Sequence, residues 1–60
     1  MKIILFIPNI RKYIGLNDEF VESESAARIF DSILAADSHS AYLEHVLGIQ
    51  CFATLAREGK

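Results

Sequence analysis

The chain has one cysteine, one proline, three glycines and no tryptophan in 60 residues. A lone Cys51 cannot staple the chain to itself, so any fold depends on an apolar core or on a partner. Long apolar runs are missing too. The longest stretches without a formal charge, Ile3–Ile10 and His45–Ala56, fall short of the ~18 residues a membrane-spanning helix needs. Ile3–Ile7, behind Met1-Lys2, is shorter than the apolar core of a signal peptide and no small-x-small site follows. The expected compartment is therefore the cytoplasm, with no membrane contact. Cations are scarce: six Lys and Arg stand against eight Asp and Glu, for a net charge of −2 and a pI near 5.5. That leaves little to neutralise phosphates, and nucleic acid is not the expected partner.

No phosphate-cradling loop or close cysteine pair is present, so no cofactor is expected. His39, His45 and Cys51 are six residues apart in turn, which swings successive side chains about 240° around a helix, so no metal site is expected. Asp37, His39 and Ser40 have the residue types of acyl-transfer chemistry. Neighbours in one turn rarely reach the necessary geometry, and these residues read better as helix-end caps. The chain is expected not to be an enzyme.

What is present is apolar: 52% of residues are hydrophobic, too many for a disordered chain. Residues 1–60 read as one small domain, near the size at which an unaided monomer is marginal. Ile3-Ile4-Leu5-Phe6-Ile7 is β-branched, aromatic and stopped by Pro8, so a strand over about 2–7, covered on both faces, is expected. Asn9 is placed to cap a short helical turn over 9–14, with Gly15 closing it. A competing reading pairs Tyr13–Leu16 with Glu19–Glu22 as a hairpin across Asn17-Asp18. The helical turn is preferred because Ile10, Tyr13 and Ile14 share one helical face.

Two longer helices are expected after it. The first spans about 18–36, capped by Asn17 or Ser23, with Ala26, Ile29, Phe30, Ile33 and Leu34 as its apolar stripe. The second spans about 40–57, capped by Ser40 after a break at Asp37–Ser40. Its wheel shows one apolar face through Tyr42, Val46, Ile49 and Phe52, with His45 packed inside it. Leu43, Leu47, Cys51 and Leu55 form a second ridge, and Gly48 in the interior allows close backbone approach. A helix apolar on two sides needs cover on two sides, and a lone strand needs a partner strand. The expected architecture is thus α+β, with the strand paired across a homodimer and Leu43, Leu47, Cys51 and Leu55 at the dimer or partner contact. An all-α fold is the alternative.

Charge supplies the functional expectation. Residues 1–16 hold Lys2, Arg11 and Lys12 and no acid, whereas residues 17–44 hold seven acids against Arg28. Asp18, Glu19, Glu22 and Glu24 are crowded into one segment. An acidic face of this kind docks on a basic site of another protein, where charge complementarity fixes partner choice. The chain therefore reads as a small non-catalytic protein-interaction module, an inhibitor or regulatory adaptor of the kind carried by phages and mobile elements. The order strand, helix, loop, helix resembles ribbon-helix-helix repressors, which implies as the alternative a dimeric nucleic-acid-binding repressor or antitoxin. That family presents polar or basic side chains from its paired strands, where this chain has Ile3-Ile4-Leu5-Phe6-Ile7.

Overall fold

The computed structural model describes residues 2–56. It is an α+β fold: four short strands in one antiparallel sheet, with one helix packed against it. The elements are β1 (Ile3–Ile7), β2 (Lys12–Ile14), β3 (Phe20–Val21), a single 3-10 turn at Glu24–Ala26, α1 (Ile33–Leu47) and β4 (Phe52–Leu55). The sheet order is β3-β2-β1-β4.

The expected first strand forms, and as a two-sided apolar run it takes the centre of the sheet. It pairs with β2 through Phe6 and Tyr13 and through Ile7 and Lys12. On its other edge, Ile3, Ile4, Leu5 and Phe6 pair with Leu55, Thr54, Ala53 and Phe52. Both edges of β1 are thus used within the chain, which displaces the expected pairing across a homodimer. Toward the Ile3 end of β1 the two strands diverge, and residues 27–30 enter between β1 and β2. The Arg28 amide donates to the Ile14 carbonyl at 2.9 Å and the Phe30 amide to the Ile3 carbonyl at 2.8 Å. These bonds satisfy backbone groups that the diverging strands would otherwise bury unpaired.

The helical turn over 9–14 is replaced by a β1–β2 connection across residues 8–11, where Arg11 takes φ 56°. The competing hairpin is the one realised. Tyr13 pairs with Val21 and Ile14 with Phe20, with Asp18 at φ 62° in the turn between. The apolar spacing of Ile10, Tyr13 and Ile14 gave the helix only local contacts. As strand, the same segment supplies hydrogen-bond partners to β1 and buries Ile14 completely.

Of the helix expected over 18–36 only the last turn forms: its first half is β3 and the 3-10 turn, and α1 begins at Ile33. Ser32 is the N-cap, its hydroxyl accepting from the Ala35 amide at 3.1 Å. The expected break at Asp37–Ser40 is helix interior. Four residues of modest helix propensity cost little beside the burial of Ala36 and Leu43 on the sheet. Gly48, expected inside the second helix, ends α1 in the left-handed conformation at φ 71°, where glycine alone is unstrained. The helix expected over 40–57 is thereby cut, and Phe52–Leu55 extend beside β1. Arg57 of that expected helix lies outside the described residues. With the order β-β-β-α-β, the likeness to ribbon-helix-helix repressors is not kept.

The core lies between α1 and one face of the sheet. Ile3, Leu5 and Ile7 from β1 meet Ile14, Phe30, Ala36, Leu43 and Cys51, with Ile49 and Ala53 at the margin. Among the described residues no helix is long and apolar enough to cross a membrane.

Candidate protein-interaction surface

The two sheet edges differ. β3 is two residues long, flanked by Glu19 and Glu22, the short, charged kind of edge that resists further pairing. β4 is four residues long and uncharged. The Ala56 amide donates to the Lys2 carbonyl at 2.9 Å, which makes those two a hydrogen-bonded pair in register with Ile4–Thr54 and Phe6–Phe52. The alternation of an antiparallel ladder then turns the backbone groups of Phe52 and Thr54 toward β1, and those of Ala53 and Leu55 outward. The Cys51 carbonyl, next in that outward series, accepts from the Ser40 hydroxyl of α1 at 2.6 Å.

Exposed apolar side chains lie on both elements at that edge, Ile33 with Leu55 beside β4 and Tyr42 on the other side of α1, stacked on His39 at 5.6 Å. Among the described residues eleven large hydrophobics keep at least 43% of their surface exposed, and seven of them lie on α1 or β4: Ile33, Leu34, Tyr42, Val46, Leu47, Phe52 and Leu55. The expected contact ridge divides accordingly. Leu43 and Cys51 are buried in the core of the chain itself, at 1% and 5% exposure, while Leu47 and Leu55 remain about half exposed. The expected ridge assumed one continuous helix. Because Gly48 ends α1, Cys51 and Leu55 instead follow the alternation of the last strand.

Asp18, Glu19, Glu22 and Glu24 are brought to the β3 side, and each has a partner within the chain. Asp18 meets His39 Nε2 at 2.7 Å, and Glu19 accepts from the Asn17 amide at 2.8 Å. Glu22 pairs with Lys12 Nζ at 3.3 Å, and Glu24 accepts from the Tyr13 hydroxyl at 3.4 Å. The Glu19 and Glu22 side chains stay exposed to solvent.

The Asp37, His39 and Ser40 grouping is dispersed by α1. His39 turns to Asp18 and lies between Phe30 and Tyr42, with ring centroids at 5.5 and 5.6 Å, and Arg28 sits 5.0 Å from the Phe30 ring. Ser40 faces β4 and Asp37 faces solvent. Sequence reasoning missed the Asp18–His39 pair, which joins residues 21 apart through the turn that the competing hairpin forms. His45, expected as a packed or interface histidine, is not packed within the chain but exposed. No group of three or more His, Cys, Asp or Glu among the described residues could hold a metal ion.

Cys51 lies in the core, 5% exposed. Burial pushes its thiol above the ordinary 9.0; the Ser40 hydrogen bond opposes the rise and the charge of Glu44 adds to it. The folded thiol therefore keeps its proton where the unfolded thiol begins to lose it. Its contribution to stability is complete below pH 9.0 and declines as pH rises above that value toward the folded pKa. At pH 8 a maleimide should label the native chain at least ~10-fold more slowly than the chain in 6 M guanidinium, since thiolate is the reactive form. Equal rates would mean that Cys51 is not in the core.

Compared with protein-family models, curated proteins and solved structures, the chain matches none.

Proposed function

We propose that this chain is a small non-catalytic protein-interaction module of the cytoplasm, an inhibitor or regulatory adaptor in kind. The observation that carries this reading is the coincidence of an uncharged strand edge, unpaired among the described residues, with the exposed apolar side chains of Ile33, Phe52 and Leu55 beside it. Exposed apolar side chains along an open strand edge are characteristic of a docking face. The acidic segment at the opposite edge supplies a second, steering contact with a basic partner. Its internal ion pair, Lys12–Glu22, lies at the surface and is worth little, so a partner's cation replaces it at small cost. Self-association through Leu34, Tyr42, Val46 and Leu47 is a further use of the exposed apolar side chains of α1.

Capture from nuclease-treated lysate of the source organism tests the reading, using the tagged chain, its Leu55→Asp variant and a Glu19→Lys/Glu22→Lys variant. The expected result is one protein retained by the parent chain, lost with Leu55→Asp, and bound more slowly and with weaker salt dependence by the charge-reversed chain. Equal retention by a folded Leu55→Asp chain would remove the β4 surface from the account. Material retained only when nuclease is omitted would favour a nucleic-acid role.

A further inference from the structure

Between α1 and the outer edge of β4 runs a groove of about 470 Å³, lined among others by Ile33, Asp37, Ala41, Glu44, Cys51 and Ala53. We propose that this groove accepts an extended segment of a partner protein as a fifth strand beside β4, and that the segment carries Lys or Arg on its helix-facing side. The inference rests on the interaction-module reading and names the partner chemistry of that site.

Three observations converge on it. The outward amides and carbonyls of Ala53 and Leu55 form the hydrogen-bonding template that strand addition requires. The Ser40 hydroxyl already occupies the Cys51 carbonyl, so the template ends there and the register of an incoming strand is defined. The charge of the groove selects the occupant. Asp37 and Glu44 lie seven residues apart on α1, two helical turns, or about 10.5 Å of rise, and both are exposed. Among the described residues no Lys or Arg lines the groove. A cationic side chain on the added strand would find the carboxylates of α1 above it, with Ala41 between them, and the small side chain of Ala53 on β4 below. A second copy of this chain fits less well. Edge-to-edge pairing would bring Asp37 and Glu44 of both copies toward a shared axis, and Phe52–Leu55 carries no cation to offset them.

The test uses the full isotope-labelled chain and a capped eight-residue peptide of alternating valine and lysine. An alternating valine–glutamate peptide serves as its counterpart. With the lysine peptide, amide exchange at Ala53 and Leu55 should slow by at least ~10-fold, while the amides of β3 stay unchanged. Asp37→Asn/Glu44→Gln should weaken binding about three- to tenfold, the range expected for two exposed ion pairs, and added salt should do the same. Leu55→Pro, which removes one outward donor and no intrachain bond, should weaken binding at least ~10-fold.

Comparable binding of the glutamate peptide, or peptide-induced changes confined to the outer face of α1, would overturn the proposal. So would protection of Ala53 and Leu55 in the free chain that grows with its concentration, which would assign the edge to a second copy. If the peptides fail while Leu55-dependent capture of a lysate protein persists, this inference alone falls. If that capture fails as well, the interaction-module reading falls with it.

Discussion

Leu43→Ala is expected to lower the melting temperature by at least ~10 °C, whereas Leu47→Ala should move it by only a few degrees. The two leucines are one helical turn apart on α1, yet Leu43 is 1% exposed and Leu47 49%. Leu43 projects into the space between α1 and β1, among the residues that make the core. Its truncation loses the transfer free energy of the side chain and leaves a cavity, together about 2–5 kcal/mol. A domain of this size has a total stability of only about 3–9 kcal/mol, and each kcal/mol is worth about 4–8 °C. Leu47 has already left half its surface in water and loses no more than about 1 kcal/mol. Circular dichroism melts of the two variants decide the matter. Similar shifts would mean that α1 is rotated about its axis relative to the sheet.

Thr54→Pro should be far more damaging than Leu55→Pro. The Thr54 amide faces β1 in the Ile4–Thr54 pair, so proline there orphans the carbonyl of a residue with no exposed surface. The unsatisfied group alone costs about 1–3 kcal/mol, and the ring holds the strands apart. The Leu55 amide points away from β1, and proline there removes no intrachain hydrogen bond. Its effect is limited to the packing of a half-exposed side chain, about 1 kcal/mol. Urea midpoints of the two variants measure the difference. A reversed order would shift the β1–β4 register by one residue.

Part of this fold was legible in the sequence because its cause is local. Ile3–Ile7 is apolar at every position and bounded by proline, which marks a covered strand whatever its neighbours are, and the α+β class follows from it. The hairpin around Asn17-Asp18 was also visible. It lost to the helical turn because helical spacing is easily counted within one segment, whereas the benefit of pairing with β1 is visible only once the sheet exists. The same reason hid α1. Asp37–Ser40 reads as a break by propensity, and only the burial of Ala36 and Leu43 on either side overrides it. Gly48 carried the opposite signal, since helix-stopping is the commonest use of glycine near a helix end.

The candidate site was less legible than the fold. Its acidic wall, Asp37 and Glu44, was present in the sequence as two ordinary helix-surface carboxylates. What makes them a wall is β4 running beside them, and by residue spacing alone Phe52–Leu55 continue the helix itself. Leu47 and Leu55 emerge at the surface for different reasons: one flanks a helix and the other ends an edge strand. The acids at 18–24 were legible as a cluster, but their internal contacts depend on the hairpin turn and on the side chains of Lys12, Tyr13 and His39.

Residue-by-residue amide exchange of the free chain, at two protein concentrations, tests the free β4 edge most directly. The account predicts alternation along β4: slow exchange at Thr54 and Ala56, whose amides face β1, and fast exchange at Ala53 and Leu55, whose amides face solvent. The pattern should be the same at both concentrations. Uniform protection from Gln50 through Ala56 would show a continuous last helix, and slow exchange at Ala53 and Leu55 would show an edge already covered; either result contradicts an open docking strand.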